Sequence, residues 1–521
     1  MSTSLLSLPN ELLIIILENP RLPSDALCSL AVLCRRLHFL ALPIFFARQG
    51  MPDPSQSAFV SLSNDGADTL AALNMALFIT GIQDLTCLMP HPSCDSVLPL
   101  LPHVRRLQNF IQRFRTVGRV TLQLDARNSM CNSTGDDTAL REWTRVMGGL
   151  FNALLERRST HLTIRYGGYL TRSYALSVDK SVSRRAIRAI RKLFTSEPLM
   201  AGKEWEFRRA PEQGRERGEV SFPSRTVDGY HLTSLTIQSA VLLTPPFLSW
   251  TLSVLRRCSP ASLAISEISL EKELWGPVLF LIGQRAGEVS QLSLSELDSI
   301  SDVDILGLCS RLPRLQSLTI GNNDEAPGTP TRWQEGIVPK FLALKDLVAP
   351  VEFILHILEP WDRVPYLERL TVGFQGKSEI WRVGIKLDRV CEALADRGQT
   401  PYITLSLALF SDSIVFDFDA MLKMTPDDKK SFGAVSCLDL VVAPYNAEQI
   451  AQWTQIFRSV KEVRLTLRSR PGAVVDDPSI DEKFLLALSR HKSFLRTVAI
   501  NGKRYELDDW KQARRIAMSR R

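Results

Sequence analysis

The sequence of 521 residues lacks any apolar run long enough to cross a membrane, which takes about 20 residues. It also lacks a disulfide framework, because its cysteines number nine and no two of them form a C-x2-C pair. An odd number of scattered thiols is typical of a reducing compartment. We therefore expect a protein of the cytoplasm, the nucleus or both, with no membrane partner.

The motifs of the common catalytic sites are also missing. The sequence has no G-x-S-x-G, no P-loop, no G-x-G-x-x-G and no H-E-x-x-H. Cys87, His91, Cys94 and His103 are residue types that bind soft metals, but their spacing, C-x3-H-x2-C-x8-H, fits no common zinc module. We therefore predict no enzymatic activity, no cofactor and no metal, and interpret these four residues as scattered loop and core positions.

Most of the chain has no excess of either charge, although the formal net charge is +7. The excess lies in residues 180–217, with eleven Lys or Arg against five Glu, and in residues 511–521, with five Lys or Arg and no acid. These stretches are either a solvated insertion and tail or an attractive surface for an acidic partner. No RNA- or DNA-binding motif accompanies them, so the sequence does not favour a nucleic-acid partner. The basic amphipathic stretch 183–194 fits an outer helix of a repeat domain better than a membrane- or nucleic-acid-binding helix.

What the sequence does have is an apolar start, SLPNELLIIILENP at residues 7–20. A secretory signal would need a basic leader and a small-residue cleavage site, which this stretch does not supply, and the run is too short for a membrane span. We interpret it as a short helix that Asn10 caps and Pro20 ends. Four apolar side chains should fall on one side of it: Leu12, Leu13, Ile16 and Leu17. Since so short a helix is unstable alone, it must pack on something else.

A second helical stretch follows Ser24 and Asp25, which can cap it, and we expect Pro43 to break it. Its apolar residues recur every three or four positions, at Leu27, Leu30, Leu33, Leu37 and Leu40. Residues 1–47 therefore predict a helical module that is too small to be stable by itself. Residues 48–110 are predicted to be a linker and a helical connection to the next domain.

The rest of the chain repeats itself. In its clearest unit, LPRLQSLTIGNN, Leu315, Leu318, Ile320 and Asn323 match the pattern L-x-x-L-x-L-x-x-N. Apolar residues equivalent to Leu318 recur at intervals of 23 to 35 positions, with helical stretches between them. The series is Leu235, Leu263, Leu292, Leu318, Leu347, Leu370, Leu405, Leu438, Val463 and Val498, with weaker copies at Val120 and Leu162.

One strand and one helix per repeat predict an α/β fold. We expect a solenoid with a curved parallel sheet and outer helices over residues 111–505, a basic insertion near 180–230 and a basic tail at 506–521. In each strand the repeated apolar residues should point into the core and their neighbours outward, Cys437 among the latter. The outward face is either an ordinary solvated sheet or a binding surface. As a binding surface it would use Ser317, Thr319, Arg369, Thr371, Asp439 and Arg464.

Residues 8–43 resemble an F-box. The family pattern opens with Leu-Pro, an acidic residue and a Leu/Ile-rich helix, matched here by Leu8, Pro9, Glu11, Leu12, Ile16 and Leu17. Residues 25–27 match its Asp-capped second helix, and residues 33–37, LCRRL, match its Val-Cys-Arg-x-aromatic segment, with Leu in place of the usual Val and the usual aromatic. The remainder looks like the divergent leucine-rich-repeat domain that often follows an F-box, a layout similar to fungal F-box families.

That resemblance implies a substrate-recognition subunit of an SCF-type, cullin–RING ubiquitin ligase. The F-box would bind a Skp-type adaptor, and the repeat domain would bind a protein substrate. The implied adaptor contacts are Leu8, Pro9, Leu12, Ile16, Leu30, Leu33 and Cys34, some of which could instead belong to the module's own core. The alternative is a leucine-rich-repeat scaffold that binds other proteins outside a ubiquitin ligase.

Overall fold

The structure is a computed structural model that divides into two compact units, each described by itself below. Unit 1 is Met1–Val289 with Leu297–Ile300, and unit 2 is Ser290–Glu296 with Ser301–Arg521. The structure describes residues 8–62, 68–89, 100–124, 137–167, 174–178, 205–209, 230–321, 340–358, 363–374, 380–395, 401–409, 431–442, 447–455, 457–469, 473–474, 477–491 and 495–512. In that part of the chain no helix combines the length and the hydropathy that crossing a membrane requires.

Unit 1 begins with three helices, α1 (Asn10–Leu17), α2 (Ser24–Leu33) and α3 (Arg35–Arg48). Each helix buries part of its apolar surface against the others. The buried side chains are Leu13, Leu17, Leu27, Ala31, Leu37, Ala41, Leu42, Phe45 and Phe46. Residues 10–48 thus form a helical module with a small aromatic and aliphatic core.

The prediction that Pro43 breaks the second helical stretch was wrong. The break lies at Cys34, whose backbone is extended (φ −158°, ψ 160°), and Pro43 lies inside α3, which continues to Arg48. Pro43 is exposed, and the burial of Phe45 and Phe46 beyond it favours continuation of the helix despite the lost backbone hydrogen bond.

The predicted cap of α1 also differs. Asn10 is the first residue of the helix and does not cap it; its Oδ1 instead accepts a hydrogen bond from Arg36 Nε at 2.8 Å. The helix ends at Leu17, three residues before Pro20. The Asn10 side chain therefore links two helices instead of closing the end of one.

Two arginines of α3 fasten the module by bonding to backbone carbonyl groups. Arg36 Nη2 donates to the Leu8 carbonyl oxygen at 2.6 Å. Arg48 donates to the carbonyl oxygens of Leu22 at 2.6 Å, Leu17 at 2.8 Å and Asn19 at 2.8 Å. The carbonyl groups at the end of α1 and in the following loop, which have no partner within a helix, are satisfied in this way.

The sheet of unit 1 follows the order of the chain. Its strands are β1 (Ser57–Ser61), β2 (Gly81–Leu88), β3 (Thr116–Gln123), β4 (His161–Arg165), β7 (Ser234–Gln238) and β8 (Ser262–Ser269), and each pairs in parallel with the next. Two further strands, β5 (Tyr174–Val178) and β6 (Trp205–Arg209), form a separate antiparallel pair. The helices of this part are α4 (Thr69–Met75), α5 (Leu101–Arg113), α6 (Asp137–Glu156), α7 (Leu248–Cys258) and α8 (Lys272–Gly283).

This sheet begins within residues 48–110, the stretch that the sequence predicted to be a linker and a helical connection. The pattern of leucines does not reveal β1 and β2, because Ala58, Val60 and Cys87 occupy buried positions that leucine or isoleucine fills in most later strands. The weak copies at Val120 and Leu162 are confirmed as strand positions, since these two residues pair with each other and Leu162 pairs with Leu235. Of the basic insertion 180–217, only residues 205–209 lie within the described part.

Unit 2 continues the same arrangement. Its strands are β9 (Gln291–Asp298, of which residues 291–296 belong to this unit), β10 (Ser317–Ile320), β11 (Asp346–Pro350), β12 (Arg369–Phe374), β13 (Tyr402–Leu409), β14 (Val435–Val442), β15 (Glu462–Ser469), β16 (Ala473–Val474), β17 (Thr497–Ile500) and β18 (Lys503–Glu506). The strands β9 to β15 and then β17 pair in parallel in that order, while β16 and β18 add antiparallel edges. Its helices are α9 (Asp302–Cys309), α10 (Val351–Leu358), α11 (Ile380–Ala395), α12 (Ala447–Thr454) and α13 (Pro478–His491).

Alternating helices and parallel strands confirm the predicted α/β fold. Leu318 lies opposite Leu292 and Leu347, and Leu347 lies opposite Leu370, as the repeat spacing predicts. Asn323, the last residue of the clearest repeat, lies outside the described residues. Because parallel neighbours need crossover connections that are right-handed almost without exception, the connecting helices of each unit should share one face of its sheet.

The predicted series slips at β13. Leu370 lies opposite Ile403, not Leu405, and an irregularity between Ile403 and Thr404 brings Leu405 opposite Leu438. Cys437 lies on the outward side of its strand, as predicted, because it pairs with Glu462 while Leu438 next to it pairs with the inward Val463, but its side chain is not exposed. Cys437 is buried beside Thr404, and burial raises the pKa of its thiol to about 11.

We expect the bonds of Arg48 to the three carbonyl groups to hold α1 and its following loop in place. Arg48→Met keeps the aliphatic stem but removes hydrogen bonds that, to a charged donor, contribute about 1.5–3 kcal/mol each. Since the site is only partly buried, we expect a loss of about 2 kcal/mol, seen as roughly 30-fold faster amide hydrogen exchange in residues 10–23. Arg21→Met, at an exposed side chain of the same loop, is the control. Equal exchange in both variants would contradict the role of Arg48.

Candidate docking surface on the N-terminal helices

The three N-terminal helices expose more large apolar side chains than any other part of the described chain. Twelve such side chains are exposed in all, and six of them lie between residues 12 and 39. We call these six the apolar patch: Leu12, Ile15, Ile16, Val32, Leu33 and Phe39. The arrangement can bind another apolar surface, and it contains no group suited to chemistry.

Each helix divides its apolar residues between core and surface. In α1, Leu13 and Leu17 are buried while Leu12 and Ile16, predicted to lie on the same side, are exposed. In α2, Leu27 is fully buried and Leu33 is 71% exposed. A helix that is apolar nearly all round can bury only one face in so small a module, so its other face reaches solvent.

The structure places the seven sequence-predicted adaptor residues outside the buried core. Pro9, Leu12, Ile16 and Leu33 are exposed, and Leu8, Leu30 and Cys34 are half-buried. These positions leave the first four accessible to a partner, as the adaptor hypothesis requires. The prediction missed three members of the apolar patch: Ile15, Val32 and Phe39.

A sequence signal existed for two of the missed residues. Ile15 lies in a helix that is apolar nearly all round, and Val32 precedes Leu33 at the end of α2. The third missed residue is Phe39. The family pattern has an aromatic residue at the position of Leu37, and Phe39 lies two residues beyond it. Leu37 itself is buried.

Arg36 brings the beginnings of α1 and α3 together. Its bonds to Leu8 and Asn10 hold the start of α1 near the start of α3, which directly follows Leu33 and Cys34 in the chain. Full burial of one large aliphatic or aromatic side chain contributes about 1.5–3 kcal/mol. For six partly exposed side chains the total is on the order of 5–10 kcal/mol before the cost of association is subtracted. The patch is therefore large enough to matter in binding.

The predicted substrate residues lie on one face of the unit 2 sheet but not in one site. Ser317 and Thr319 are half-buried on β10, whereas Asp439 and Arg464 are neighbours on β14 and β15. Five strand spacings separate β10 from β15, which is roughly 24 Å. Arg369 and Thr371 lie between these places on β12. The six residues therefore mark a long surface and no single pocket.

The charged members of this face are already paired within the chain. Arg369 Nη2 donates to Asp346 Oδ2 on the neighbouring strand at 2.7 Å. Arg464 Nε donates to Glu462 Oε1 at 2.8 Å on its own strand. A substrate with charged groups would have to compete with these exposed pairs, whose individual strength is low.

Asp439 has a distinct environment on the same face. Burial raises the pKa of its carboxyl group, although the nearby Arg464 guanidinium and a hydrogen bond with Ser406 act in the opposite direction. Burial also raises the pKa of Tyr402 on β13 to about 12, with the negative charge of Glu462 contributing. On this part of the face Thr404 and Cys437 are buried and Asp439 is half-buried, whereas Tyr402 and Arg464 are exposed.

Two of the four residues of soft-metal-binding type lie in the described part of the chain. Cys87 is buried in β2, where burial raises the pKa of its thiol, and His103 is half-buried in α5. His91 and Cys94 lie outside the described residues. Among the residues that are described, no group of three or more His, Cys, Asp or Glu is placed to hold a metal ion.

No known protein-family model matches the chain, and no curated protein matches it significantly.

The exposure difference within α2 predicts a large effect of Leu→Ser at one position and a very small effect at another. Leu27→Ser removes a fully buried side chain and buries a hydroxyl group, so we expect about 3–5 kcal/mol of destabilisation in the helical module. Leu33→Ser, at a side chain that is 71% exposed, should change stability by less than about 0.5 kcal/mol. Hydrogen exchange of residues 10–48 in both variants measures this, and similar losses would show that Leu33 is packed in the free protein.

The environment of Asp439 predicts a dependence of stability on pH. A folded-state pKa above the unfolded one means that the folded protein binds the proton more tightly, so stability falls as pH rises above the ordinary aspartate range. Asp439→Asn has no such proton and should lack this part of the slope. We therefore expect the variant to gain stability over the native chain as pH rises towards neutrality, measured by urea unfolding at several pH values. If the difference in unfolding free energy between the variant and the native chain is the same at acid and neutral pH, the prediction is contradicted.

Proposed function

We propose that this protein is a substrate-recognition subunit of an SCF-type ubiquitin ligase. In this proposal the helical module of residues 10–48 is an F-box that binds a Skp-type adaptor. The observation that carries the proposal is the apolar patch, which leaves six large side chains in solvent on the module that resembles an F-box in sequence. Exposed apolar surface of this kind is typical of a protein-binding helical face.

The predicted contacts agree with that assignment in chemistry. Pro9, Leu12, Ile16 and Leu33 are exposed and can enter an apolar groove of the adaptor. The half-buried Leu8, Leu30 and Cys34 would contact it through their accessible edges. The six side chains of the apolar patch carry no charge, so this part of the contact should contribute little to the salt dependence of adaptor affinity.

The α/β repeats supply the second half of the proposal. Stacked strand and helix units form an extended outward surface of small polar and charged side chains, which is a common way to hold a protein partner. In this role the protein performs no chemistry itself. It raises the local concentration of a bound substrate near the ligase, and proximity alone can accelerate a transfer reaction strongly.

Binding of the full-length chain to a purified Skp-type adaptor tests the proposal. We expect the double variant Leu12→Asp, Leu33→Asp to lose at least 100-fold in affinity, because each substitution places a carboxylate in an apolar contact. Leu342→Asp, at a 62% exposed leucine of unit 2, is the matched control and should bind like the native chain. Isothermal titration gives the affinities, and co-purification of a cullin with the native chain tests assembly.

Two results would remove the proposal. One is a native chain that does not bind the adaptor, and the other is equal adaptor affinity in the double variant and the control. A repeat protein that binds other partners through the same helices, outside a ubiquitin ligase, would then account for the fold better.

A further inference from the structure

A second exposed apolar site adjoins the N-terminal helices in space although it lies far from them in sequence. Leu77 and Phe78 follow the end of α4, and Leu77 is 72% exposed. The ring of Phe78 lies 6.0 Å from the ring of Phe39, which belongs to the apolar patch. The exposed rings of Phe39 and Phe78 thus make one apolar surface out of two separate stretches of chain.

The turn that carries Leu77 and Phe78 is held firmly in place. Arg113, at the end of α5, donates to the Leu73 carbonyl oxygen at 3.1 Å and also bonds to those of Asn74 and Ala76. Leu77 N donates to His38 Nε2 at 3.4 Å, so α3 holds the turn from its other side. Because the turn is fixed, Leu77 is presented to solvent in a set position and needs little ordering on binding.

Phe78 has a second role that anchors the surface. Its ring meets the buried Phe46 edge to face at 6.5 Å and lies 6.2 Å from the ring of His38. Phe78 therefore packs on the core of the helical module with one edge and reaches solvent with the other. Leu77 makes no such ring contact, so it is the better position for a test.

Positive charge surrounds this surface. The Arg35 guanidinium lies 5.8 Å from the centre of the Phe39 ring. The exposed Arg115 directly precedes β3, and its backbone N–H donates to the Thr80 carbonyl oxygen at 3.4 Å. The third positive charge is that of Arg113, whose guanidinium donates to backbone carbonyl groups of the turn. Within the described part of the chain, none of these three arginines forms a salt bridge with a carboxylate. An occupant of the surface would therefore need an apolar side with acidic residues at its margin.

We infer that the adaptor-docking surface continues beyond the F-box-like helices, across Phe39, onto Leu77 and Phe78. Its occupant there is a segment of the same adaptor that is apolar at its centre and acidic at its edge. The occupant is assigned by Phe39, an exposed side chain of the helical module whose ring adjoins that of Phe78, and its charge is assigned by the three arginines. This inference rests on the proposed function, because it names a further part of the same contact.

The test compares adaptor binding by full-length variants at two salt concentrations. Leu77→Ala should weaken adaptor binding at least fivefold and Leu77→Asp at least 20-fold, because the side chain becomes buried only in the complex. Leu342→Ala, at a 62% exposed leucine of unit 2, is the control and should stay within twofold of the native chain. Arg35→Ala should bind more weakly at about 50 mM salt and lose part of the native salt dependence.

The outcomes separate this inference from the proposed function. If the native chain binds the adaptor and both Leu77 variants bind within twofold of it, the inference is overturned while the proposed function stands. If the Leu77 variants lose thermal stability but not adaptor affinity, a segment of this chain covers the site, and the inference is overturned in that way. If the native chain does not bind the adaptor, both proposals are overturned.

Discussion

Burial of one row of aliphatic side chains across parallel strands is the constraint on which both units depend. Leu318 contributes to such a row between Leu292 and Leu347, and every member is covered by its neighbours on either side. Since a strand of this kind buries its inward face only against adjacent strands and the connecting helices, no repeat is stable alone. The inward positions must therefore stay aliphatic, whereas the outward positions carry serine, threonine or charge without any cost to packing.

The N-terminal helices meet the same requirement with far fewer residues. Their core, mainly leucines and two phenylalanines, is small. Hydrogen bonds from Arg36 and Arg48 to backbone carbonyl groups therefore contribute part of the stability that side-chain packing contributes in the sheets. Because one face of each helix packs in this core, the apolar side chains on the other faces cannot be buried inside the module. When a short helix has leucine and isoleucine on both faces, one apolar face stays exposed to solvent. Binding of a partner would bury that face and is therefore favourable.

Sequence periodicity predicts those parts of the fold that depend on leucine at a fixed spacing. It finds the strands around Leu235, Leu318 and Leu347 and their register, because a one-residue slip would expose the buried row. It does not find β1 and β2, where Ala58 and Cys87 fill inward positions, nor the slip at Ile403, which depends on an irregularity that no local pattern marks. For the docking surface, the apolar excess of α1 and α2 predicts Leu12, Ile16 and Leu33. The approach of Phe39 to Phe78 is a tertiary contact between residues 39 positions apart, so spacing rules cannot predict it.

The contacts around Phe78 bear on how such a protein would position a substrate. Phe78 packs on Phe46, and Leu77 bonds to His38, so α3 is fixed to the turn that leads directly into β2. A partner bound to the helices would therefore be held in a defined orientation to the first strands of unit 1, without a flexible linker between them. Proximity raises a reaction rate most when the two bound parts can meet without a search through many linker conformations. The contacts between α3 and the turn before β2 are thus as important to the proposed role as the apolar side chains themselves. They fix the orientation of the first strands of unit 1 relative to a partner bound to the helices.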